Sequence, residues 1–305
     1  MIDDVMDIDK LKELGKFTKI LRDEVRKLVV VEGSYLDVAE TIEGMILEKG
    51  YKPTFPVNIS VNEVAAHDTP DQNDERLFNE EDVVKVDFGV MDNTTFTDNA
   101  LTIDLSGKHE DMVKAVDEAL RNAVNTIKPG ITVEEVSTVI ENTIRKYGFK
   151  PISNLTGHKM EPYILHAGIN IPNVKTKNNY SFKVGDVFAI EPFATTQNGA
   201  GYVKDSEDVK IFSLINPKMP RMRQSRKLLN HILNNYVSMP FAERWVLPLF
   251  DSKIMARSAI KELLKIGSLE AYPVLKEANA DIVVQSETTV VVEEDGAKDV
   301  ICDGC

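Results

Sequence analysis

The chain has 305 residues, of which 43% are hydrophobic and 28% are charged. This composition is typical of a folded globular protein and excludes a wholly disordered chain or a collagen-like fibre. The net charge is −13, so the surface as a whole repels phosphate and a broad nucleic-acid-binding face is not expected, although a small local basic patch is not excluded.

Two amphipathic helices are predicted at the start of the chain. Apolar residues recur at helical spacing from Leu11 to Leu28, with acids and lysines between them. The second helix is predicted to begin after Ser34, an N-cap with Asp37 three residues later, and to end at Gly50. Residues 54–61 then indicate a strand or an extended loop.

A hairpin and a second pair of helices follow. Residues 83–90 and 94–105 carry strand patterns, and the intervening Asp92 and Asn93 predict a turn. Helices are predicted over 111–127 and 133–147, the latter capped by Thr132. The order of helix pair, hairpin and helix pair suggests a structural duplication.

Strands return after these helices, and a helical block interrupts them. Strand patterns cover residues 184–203 and 281–292, whereas residues 217–269 are predicted to be helical in three segments, 222–236, 241–246 and 252–266. A helical block between two strand regions predicts an insertion into one domain.

Four acids lie inside the apolar strands, namely Asp87, Asp98, Glu191 and Glu287. Each acid alone is more often a residue on the solvent face of a half-buried strand. A buried carboxylate, however, needs a partner or a cation. Asp87 and Asp98 can approach each other across the predicted hairpin, where two like charges are destabilising. A positively charged group is therefore expected between them. Lys85 is available for an ordinary salt bridge.

His158 adds a neutral imidazole from the polar loop 154–158. Alone it is more often an ordinary loop histidine. Four carboxylates and one neutral imidazole match the charge of two divalent cations, which favours a dinuclear site. Oxygen ligands with one nitrogen suit Mn, Fe, Co or Zn better than Mg or Ca. Two metals sharing a water would generate hydroxide near neutral pH, so the predicted chemistry is metal-assisted hydrolysis.

Together these features resemble the type II methionine aminopeptidases, in their compact form without a long N-terminal extension. The resemblance covers nearly the whole chain in the family's order. The matching segments are residues 55–58, 62–67, 86–90, 98, 154–158, 165–167, 171–173, 189–193, 232–236, 240–245, 272–275 and 285–290.

The resemblance implies an α+β pita-bread fold, in which two related halves surround a curved antiparallel sheet with pseudo-twofold symmetry. Residues 1–305 would form a single catalytic domain, and residues 205–270 would be the helical insertion typical of type II members. The implied activity is removal of the initiator methionine from nascent proteins whose second residue is small.

The resemblance also implies the roles of the metal ligands. Asp87 would chelate one metal ion, and His158 with Glu191 would bind the other. Asp98 and Glu287 would bridge the two ions. A hydroxide bridging the metals would attack the scissile carbonyl, and Glu191 would help to move its proton.

Two further histidines and an apolar pocket complete the implied site. His67 and His166 match family positions that hydrogen-bond the substrate and stabilise the tetrahedral intermediate. Alone, each is more often a loop histidine, and the pocket residues are more often ordinary core. An apolar slot of limited size would accept the unbranched thioether of methionine. Its expected lining is Phe55, Leu165, Phe193 and Tyr272.

Three positions depart from the family pattern. Thr288 stands where a histidine usually follows the last bridging glutamate, Ser286 stands where a bulkier residue is common, and Asn99 stands where threonine is common. None is an implied ligand. We therefore expect these residues to influence rate and metal affinity rather than the type of reaction.

Two other functions share the implied fold. Prolidases and Xaa-Pro aminopeptidases are also dinuclear, but the insertion and the segments 55–58 and 240–245 argue against them. Relatives without metals serve as binding proteins, some of them for RNA, but all five ligand positions are filled here.

The expected partners are nascent N-termini, with transient ribosome association and no nucleic acid. The resemblance implies a monomer. We expect it in the cytoplasm, because no apolar run approaches the roughly 20 residues of a membrane span and the acidic start does not resemble a signal peptide. Cys302 and Cys305 form a terminal CxxC pair that we interpret as incidental.

Overall fold

The computed structural model describes residues 5–301, so Cys302 and Cys305 lie outside the described residues. Helices and antiparallel strands are mixed along the chain. The α-helices of the described part are Ile8–Leu28 (α1), Tyr35–Glu48 (α2), Glu110–Thr126 (α3), Val133–Lys146 (α4), Arg223–Asn235 (α5), Glu243–Val246 (α6) and Lys253–Lys265 (α7), with a 3₁₀ turn at Leu247–Leu249. None of them is long and apolar enough to cross a membrane.

The strands of the described part form antiparallel sheets of three to five strands. In the first half of the chain they are Lys52–Pro53 (β1), Asn58–Val61 (β2), Val64–Ala66 (β3), Val83–Phe88 (β4), Val90–Asp92 (β5), Thr95–Phe96 (β6), Asn99–Asp104 (β7) and Lys150–Pro151 (β8). The others are Thr156–Met160 (β9), Asn170–Pro172 (β10), Val187–Ile190 (β11), Phe193–Thr195 (β12), Val203–Leu214 (β13), Phe241–Ala242 (β14), Leu269–Glu277 (β15), Val283–Gln285 (β16), Thr288–Glu293 (β17) and Gly296–Asp299 (β18).

The first half of the fold packs α1 and α2 against the sheet β2-β4-β7. The apolar faces of the two helices and one face of the sheet form a single buried cluster, to which Leu21, Ile42 and Val86 belong. Ser34 caps α2 by accepting a hydrogen bond from the Asp37 amide, as its position in the sequence predicts. This packing fixes the sheet that carries Asp87.

The second half repeats the arrangement with α3 and α4. These helices cover a five-stranded sheet of order β10-β9-β11-β17-β18, and their shared cluster includes Val116, Ile140 and Phe188. Thr132 and Glu135 form a reciprocal capping box at the start of α4. Each half therefore has its own core, and the strands that carry the acids run between the two cores.

The predicted helical block lies between two long strands, β13 and β15, which pair with each other. Residues 205–270 begin inside β13 and end inside β15. The helices predicted at 222–236 and 252–266 are present as α5 and α7. The helix predicted over 241–246 is wrong in its first two residues, because Phe241 and Ala242 pair with β13 before α6 begins.

Three predicted strands are broken at acids. The strand expected over 184–203 is interrupted at Glu191, and the strand expected over 281–292 is interrupted at Glu287. The strand expected over 94–105 is divided into β6 and β7 at Asp98. At each break the acid no longer follows the alternation of side chains between the two faces of a strand. The three carboxylates all line the same cavity.

Candidate active site

The five predicted ligand residues line one cavity at the junction of the two halves. Asp87 lies near the end of β4 and pairs in register with Ala100 of β7. His158 pairs in register with Ala189 of β11. The preceding glycine permits this close approach, because a Cβ at Gly157 would stand 2.6 Å from the Ala189 carbonyl oxygen.

The ligand atoms of this cluster are close together. His158 Nε2 lies 3.4 Å from Asp98 Oδ2 and 3.8 Å from Glu191 Oε1. One candidate ligand atom from each of Asp98, His158 and Glu287 lies within 4.8 Å of the other two. The exposed fractions of these three residues are 3%, 3% and 2%, respectively, so the acids are buried together rather than solvated separately.

The electrostatics of the cluster are unfavourable for negative charge. Burial, followed by the charge of Asp98, raises the pKa of Asp87, Glu191 and Glu287 well above the usual carboxyl range. Among residues 5–301, no lysine or arginine forms an ion pair with any of the four carboxylates. A cation is the group that would resolve this repulsion.

Lys85 does not supply the missing positive charge. Its side chain is 1% exposed, and Nζ donates to the Asn62 carbonyl oxygen at 2.8 Å. The alternative of an ordinary salt bridge between Lys85 and Asp87 is therefore wrong. Alternation along β4 places the two residues on the same face, but the lysine stem carries its ammonium group away to the loop after β2.

The two further histidines lie on the same cavity, next to Tyr272. The rings of His158 and His166 are 4.4 Å apart, and those of His67 and Tyr272 are 5.4 Å apart. Burial lowers the pKa of His67. Burial, followed by the neighbouring His158, lowers the pKa of His166 to about 3. Both rings are therefore neutral at physiological pH.

The apolar side of the cavity contains all four predicted pocket residues. The cavity has a volume of about 200 Å³. Phe55 and Phe193 are buried, with 6% and 1% of their surfaces exposed. The wall is completed by residues of β3, β13, β15 and the segment before β14, namely Ala66, Ile211, Leu275 and Pro240.

Comparison with known proteins places this site in a family. The family model for the metallopeptidase family M24 matches residues 9–227. A methionine aminopeptidase of Pyrococcus abyssi is 45% identical over 294 residues, covering 95% of this chain and 98% of that protein. A methionine aminopeptidase of Methanocaldococcus jannaschii is 43% identical, covering 95% and 97%. The chain belongs to metallopeptidase family M24. The predicted type II methionine aminopeptidase resemblance is confirmed.

The fold of this M24 protein also matches solved structures. The methionine aminopeptidase of Thermotoga maritima aligns with a TM-score of 0.71 at 22% identity, covering 99% of this chain and all of that one. A thermophilic Arx1 aligns with a TM-score of 0.81 at 18% identity, covering 97% and 91%. At these identities the likeness concerns the fold alone, and the predicted α+β pita-bread fold is confirmed.

Sequence reasoning missed several groups that hold the acids in place. Gln285 Nε2 lies 3.5 Å from both Glu191 Oε2 and Glu287 Oε2. Thr289 Oγ1 accepts from the Asp98 amide at 2.8 Å and donates to the Asp98 carbonyl oxygen at 2.7 Å. Both residues lie within the family segment 285–290, and polar side chains in such an apolar run are the signal that identifies them.

Arg22 is the remaining group that the sequence did not reveal. From α1 its Nη1 donates to Asn99 Oδ1 at 3.1 Å, to the Ala100 carbonyl oxygen at 3.0 Å and to the Glu287 carbonyl oxygen at 3.2 Å. One guanidinium therefore joins the strand after Asp98 to the break that contains Glu287. Its position in an ordinary amphipathic helix gives no sign of this contact.

The three departures from the family pattern take part in the supporting structure. Asn99 accepts from Arg22 and donates through Nδ2 to the Phe88 carbonyl oxygen. Thr288 donates through its hydroxyl to Asp299 Oδ1 at 2.7 Å. The Ser286 amide donates to the Pro192 carbonyl oxygen at 3.2 Å. The Ser286 contact joins two strand breaks directly, Asn99 is joined to the Glu287 break through Arg22, and Thr288 ties β17 to β18.

The donor set fits divalent metal ions. Within the described residues, buried Asp87 Oδ1 has no hydrogen-bond partner, and His158 Nε2 faces the acids. Four acids share a largely buried site without a cationic side chain, and carboxylate oxygens with one imidazole are ligands for Mn, Fe, Co or Zn. Dependence on divalent metal is a property of the M24 family to which the chain belongs.

Proposed function

We propose that this protein removes the N-terminal methionine from new polypeptides whose second residue is small. One observation carries the proposal: every predicted ligand, histidine and pocket residue lines the same cavity of about 200 Å³. This convergence occurs in a chain that is 45% identical to a methionine aminopeptidase over nearly its full length. The reaction would be hydrolysis of the first peptide bond.

Five residues would hold two divalent ions, which we propose to be Co, Mn, Fe or Zn. Asp87 would bind one ion, His158 and Glu191 the other, and Asp98 and Glu287 both. When bound, the ions would supply Lewis-acid polarisation and a nucleophilic hydroxide at neutral pH. The raised pKa values of the acids support this assignment, because nearby positive charge would return the carboxylates to their ionised form.

His67 would bind the substrate through a defined tautomer. Its Nδ1 lies 3.2 Å from the Pro273 carbonyl oxygen, which can only accept, so Nδ1 carries the proton. In the neutral ring, Nε2 is then an acceptor, suited to an N–H group of the substrate. His166 is held neutral by burial beside His158, so it can donate one hydrogen bond to developing negative charge.

Glu191 and the apolar wall would complete the catalysis. Glu191 lies at the ligand cluster, with Oε1 3.8 Å from His158 Nε2, where its carboxylate could hold and release a proton. Phe55, Leu165, Phe193 and Tyr272 would enclose the methionine side chain. A free α-amine would face the carboxylates, because a cavity of about 200 Å³ has little room for a longer N-terminal chain. This limit makes the enzyme an exopeptidase.

Other features follow from this proposal. The substrates would be nascent chains, met during transient association with ribosomes, and the enzyme would act as a cytoplasmic monomer. We propose that residues 1–305 form one catalytic domain and that residues 205–270 are its type II insertion. The insertion supplies Ile211 and Pro240 to the cavity.

A peptide-cleavage assay tests the proposal. Metal-stripped protein is supplied singly with Co, Mn, Fe or Zn and offered Met-Ala-Ser, Met-Leu-Ser and Ala-Pro, with metal content measured in parallel. We expect methionine release from Met-Ala-Ser only, at roughly two ions per chain. Cleavage of Ala-Pro instead would assign a prolidase function. A folded protein that neither binds metal nor cleaves would refute the proposal.

A further inference from the structure

Asn58 carries a buried oxygen atom that lacks a hydrogen-bond partner. The residue opens β2, is 4% exposed and lines the same cavity as the proposed metal ligands. Within residues 5–301 its Oδ1 has no partner. An unpaired buried amide oxygen is unfavourable. In the wall of a binding cavity, such an oxygen therefore indicates that a ligand supplies the missing donor.

A hydrogen bond on the other side of the same amide fixes which atom is left over. Asn58 Nδ2 donates to the Pro56 carbonyl oxygen at 2.7 Å. A carbonyl oxygen can only accept, so the nitrogen and not the oxygen must face Pro56. The atom that remains is therefore an acceptor, and the group that it awaits must be an N–H or O–H donor.

The neighbour of Asn58 across the sheet also needs a donor or a cation. Asn58 pairs in register with Asp87 of β4, and directly opposed residues of antiparallel strands have Cβ atoms about 4.5–5.5 Å apart. Asp87 Oδ1 is likewise buried without a partner in the part of the chain that the structure describes. Asp87 is a proposed metal ligand, whereas the neutral amide of Asn58 lies outside the proposed ligand set. The Asn58 oxygen would still require a donor when metal is bound.

Asn58 stands between the two parts of the cavity that the substrate would occupy. Phe55, three residues earlier, belongs to the apolar wall, and Asp87 belongs to the acids. In an N-terminal methionine, the side chain and the α-amine leave the same carbon atom. A thioether against Phe55 and an amine toward the acids would therefore place the N–H groups of that amine beside Asn58.

We propose that Asn58 Oδ1 accepts a hydrogen bond from the free α-amine of the substrate. The inference rests on the proposed function and adds a residue that recognises the chain terminus. A free amine carries at least two N–H groups, one for the acid cluster and one for Asn58, whereas an acylated nitrogen carries one. A buried acceptor that is left unpaired by an analogue without the amine discriminates against that analogue.

Paired ligands that cannot be hydrolysed test this recognition. The full chain, loaded with Mn, is titrated by calorimetry with methioninol and with its analogue that lacks the α-amine. The ratio of the two affinities measures recognition of the amine. Asn58→Leu removes both the acceptor and the donor to Pro56, whereas Asn58→Asp keeps an acceptor oxygen and loses only that donor. Asn58→Ala replaces Asn58→Leu if circular dichroism shows that the leucine variant does not fold.

A matched control lies on the same strand. Ser60 Oγ is also buried without a partner among the described residues, but Ser60 is not part of the cavity wall. Ser60→Ala therefore removes a second unpaired oxygen from β2 without touching the proposed contact. The metal content of every variant is measured on the same samples.

Asn58→Leu should reduce the affinity ratio roughly tenfold, the effect of one hydrogen bond to an amine, with its metal content unchanged. Asn58→Asp should keep a ratio at least as large as that of the unaltered protein, and Ser60→Ala should keep the same ratio. In cleavage of Met-Ala-Ser, Asn58→Leu should raise KM with little change in kcat, because the amine contact exists before and during the reaction.

Three results would overturn the inference. An unchanged ratio in Asn58→Leu would remove the contact, and an equal loss in Asn58→Asp would assign Asn58 to holding the backbone at Pro56. Loss of metal from Asn58→Leu would make the residue a metal ligand. Failure of the proposed function is distinct, because it would appear as absence of methionine release by the unaltered protein, whereas binding of methioninol requires no hydrolysis.

Discussion

Replacement of Arg244 by methionine should destabilise the fold strongly. The Arg244 side chain is 5% exposed, and it pairs through Nη2 with the buried Glu43. Glu43 also accepts from Trp245 Nε1 at 2.9 Å and from the Val57 amide at 3.1 Å. Arg244→Met leaves a buried carboxylate with two neutral donors and no cation, a loss that costs about 3 to 5 kcal/mol.

A second substitution isolates the cause of this loss. In Glu43→Gln/Arg244→Met the buried charge is absent, so we expect about 2 kcal/mol or more of the loss to be recovered. Arg257→Met is the matched control on the surface. Arg257 pairs with Glu243 at 2.8 Å, but 61% of its side chain is exposed, so its loss should cost less than about 1 kcal/mol.

Urea unfolding measures these differences. Trp245 is the sole tryptophan of the chain, and it lies in this network, so its fluorescence follows the local region while far-ultraviolet circular dichroism follows the whole. Coincident transitions permit free energies of unfolding to be compared. The reasoning is refuted if Arg244→Met costs no more than Arg257→Met, or if the double variant is as unstable as the single one.

Four further predictions concern the active site. Glu287→Ala should remain folded by circular dichroism yet lose nearly all methionine release, and full activity would contradict its role as ligand. His67→Ala should lower turnover while metal content stays near that of the unaltered enzyme; loss of both metals would instead make it a ligand. Arg22→Met should weaken metal binding by roughly tenfold in calorimetry, whereas Arg26→Met, an exposed arginine one turn later, should not. Gly157→Ala should cost about 1 to 3 kcal/mol in urea unfolding through its clash with the neighbouring strand.

The helices and the membership of the site could be predicted from the sequence. Apolar residues at helical spacing locate α1, because α1 buries one stripe of Leu11, Leu14, Leu21 and Val25. The acids could be recognised because charge inside a β-branched run is unusual. Both patterns depend on neighbouring residues in the sequence. Long-range packing in the folded protein does not override either of them.

The interruptions of the strands could not be predicted in the same way. At Glu191 the sequence does carry a signal of the break, because the following Pro192 has no backbone N–H for a strand ladder. The residues around Glu287 have a continuous strand pattern, and that break occurs because distant groups hydrogen-bond to the backbone. The Glu287 amide donates to the Ala100 carbonyl oxygen, and Arg22 binds the Glu287 carbonyl oxygen. Strand β13 was missed beyond Val203 for another reason: its first half is polar and exposed, so it lacks the alternation that indicates a strand.

The proposed metal ligands come from both halves of the molecule, so bound metal would hold the halves together. Asp87 and Asp98 belong to the half built on α1 and α2, whereas His158 and Glu191 belong to the half built on α3 and α4. Neither core alone contains a complete donor set. Divalent ions bound here would act as a crosslink between the halves, and their affinity would add to the free energy that keeps the halves docked. Separation of the halves would break the donor set and release metal, and the loss of metal would in turn weaken the junction.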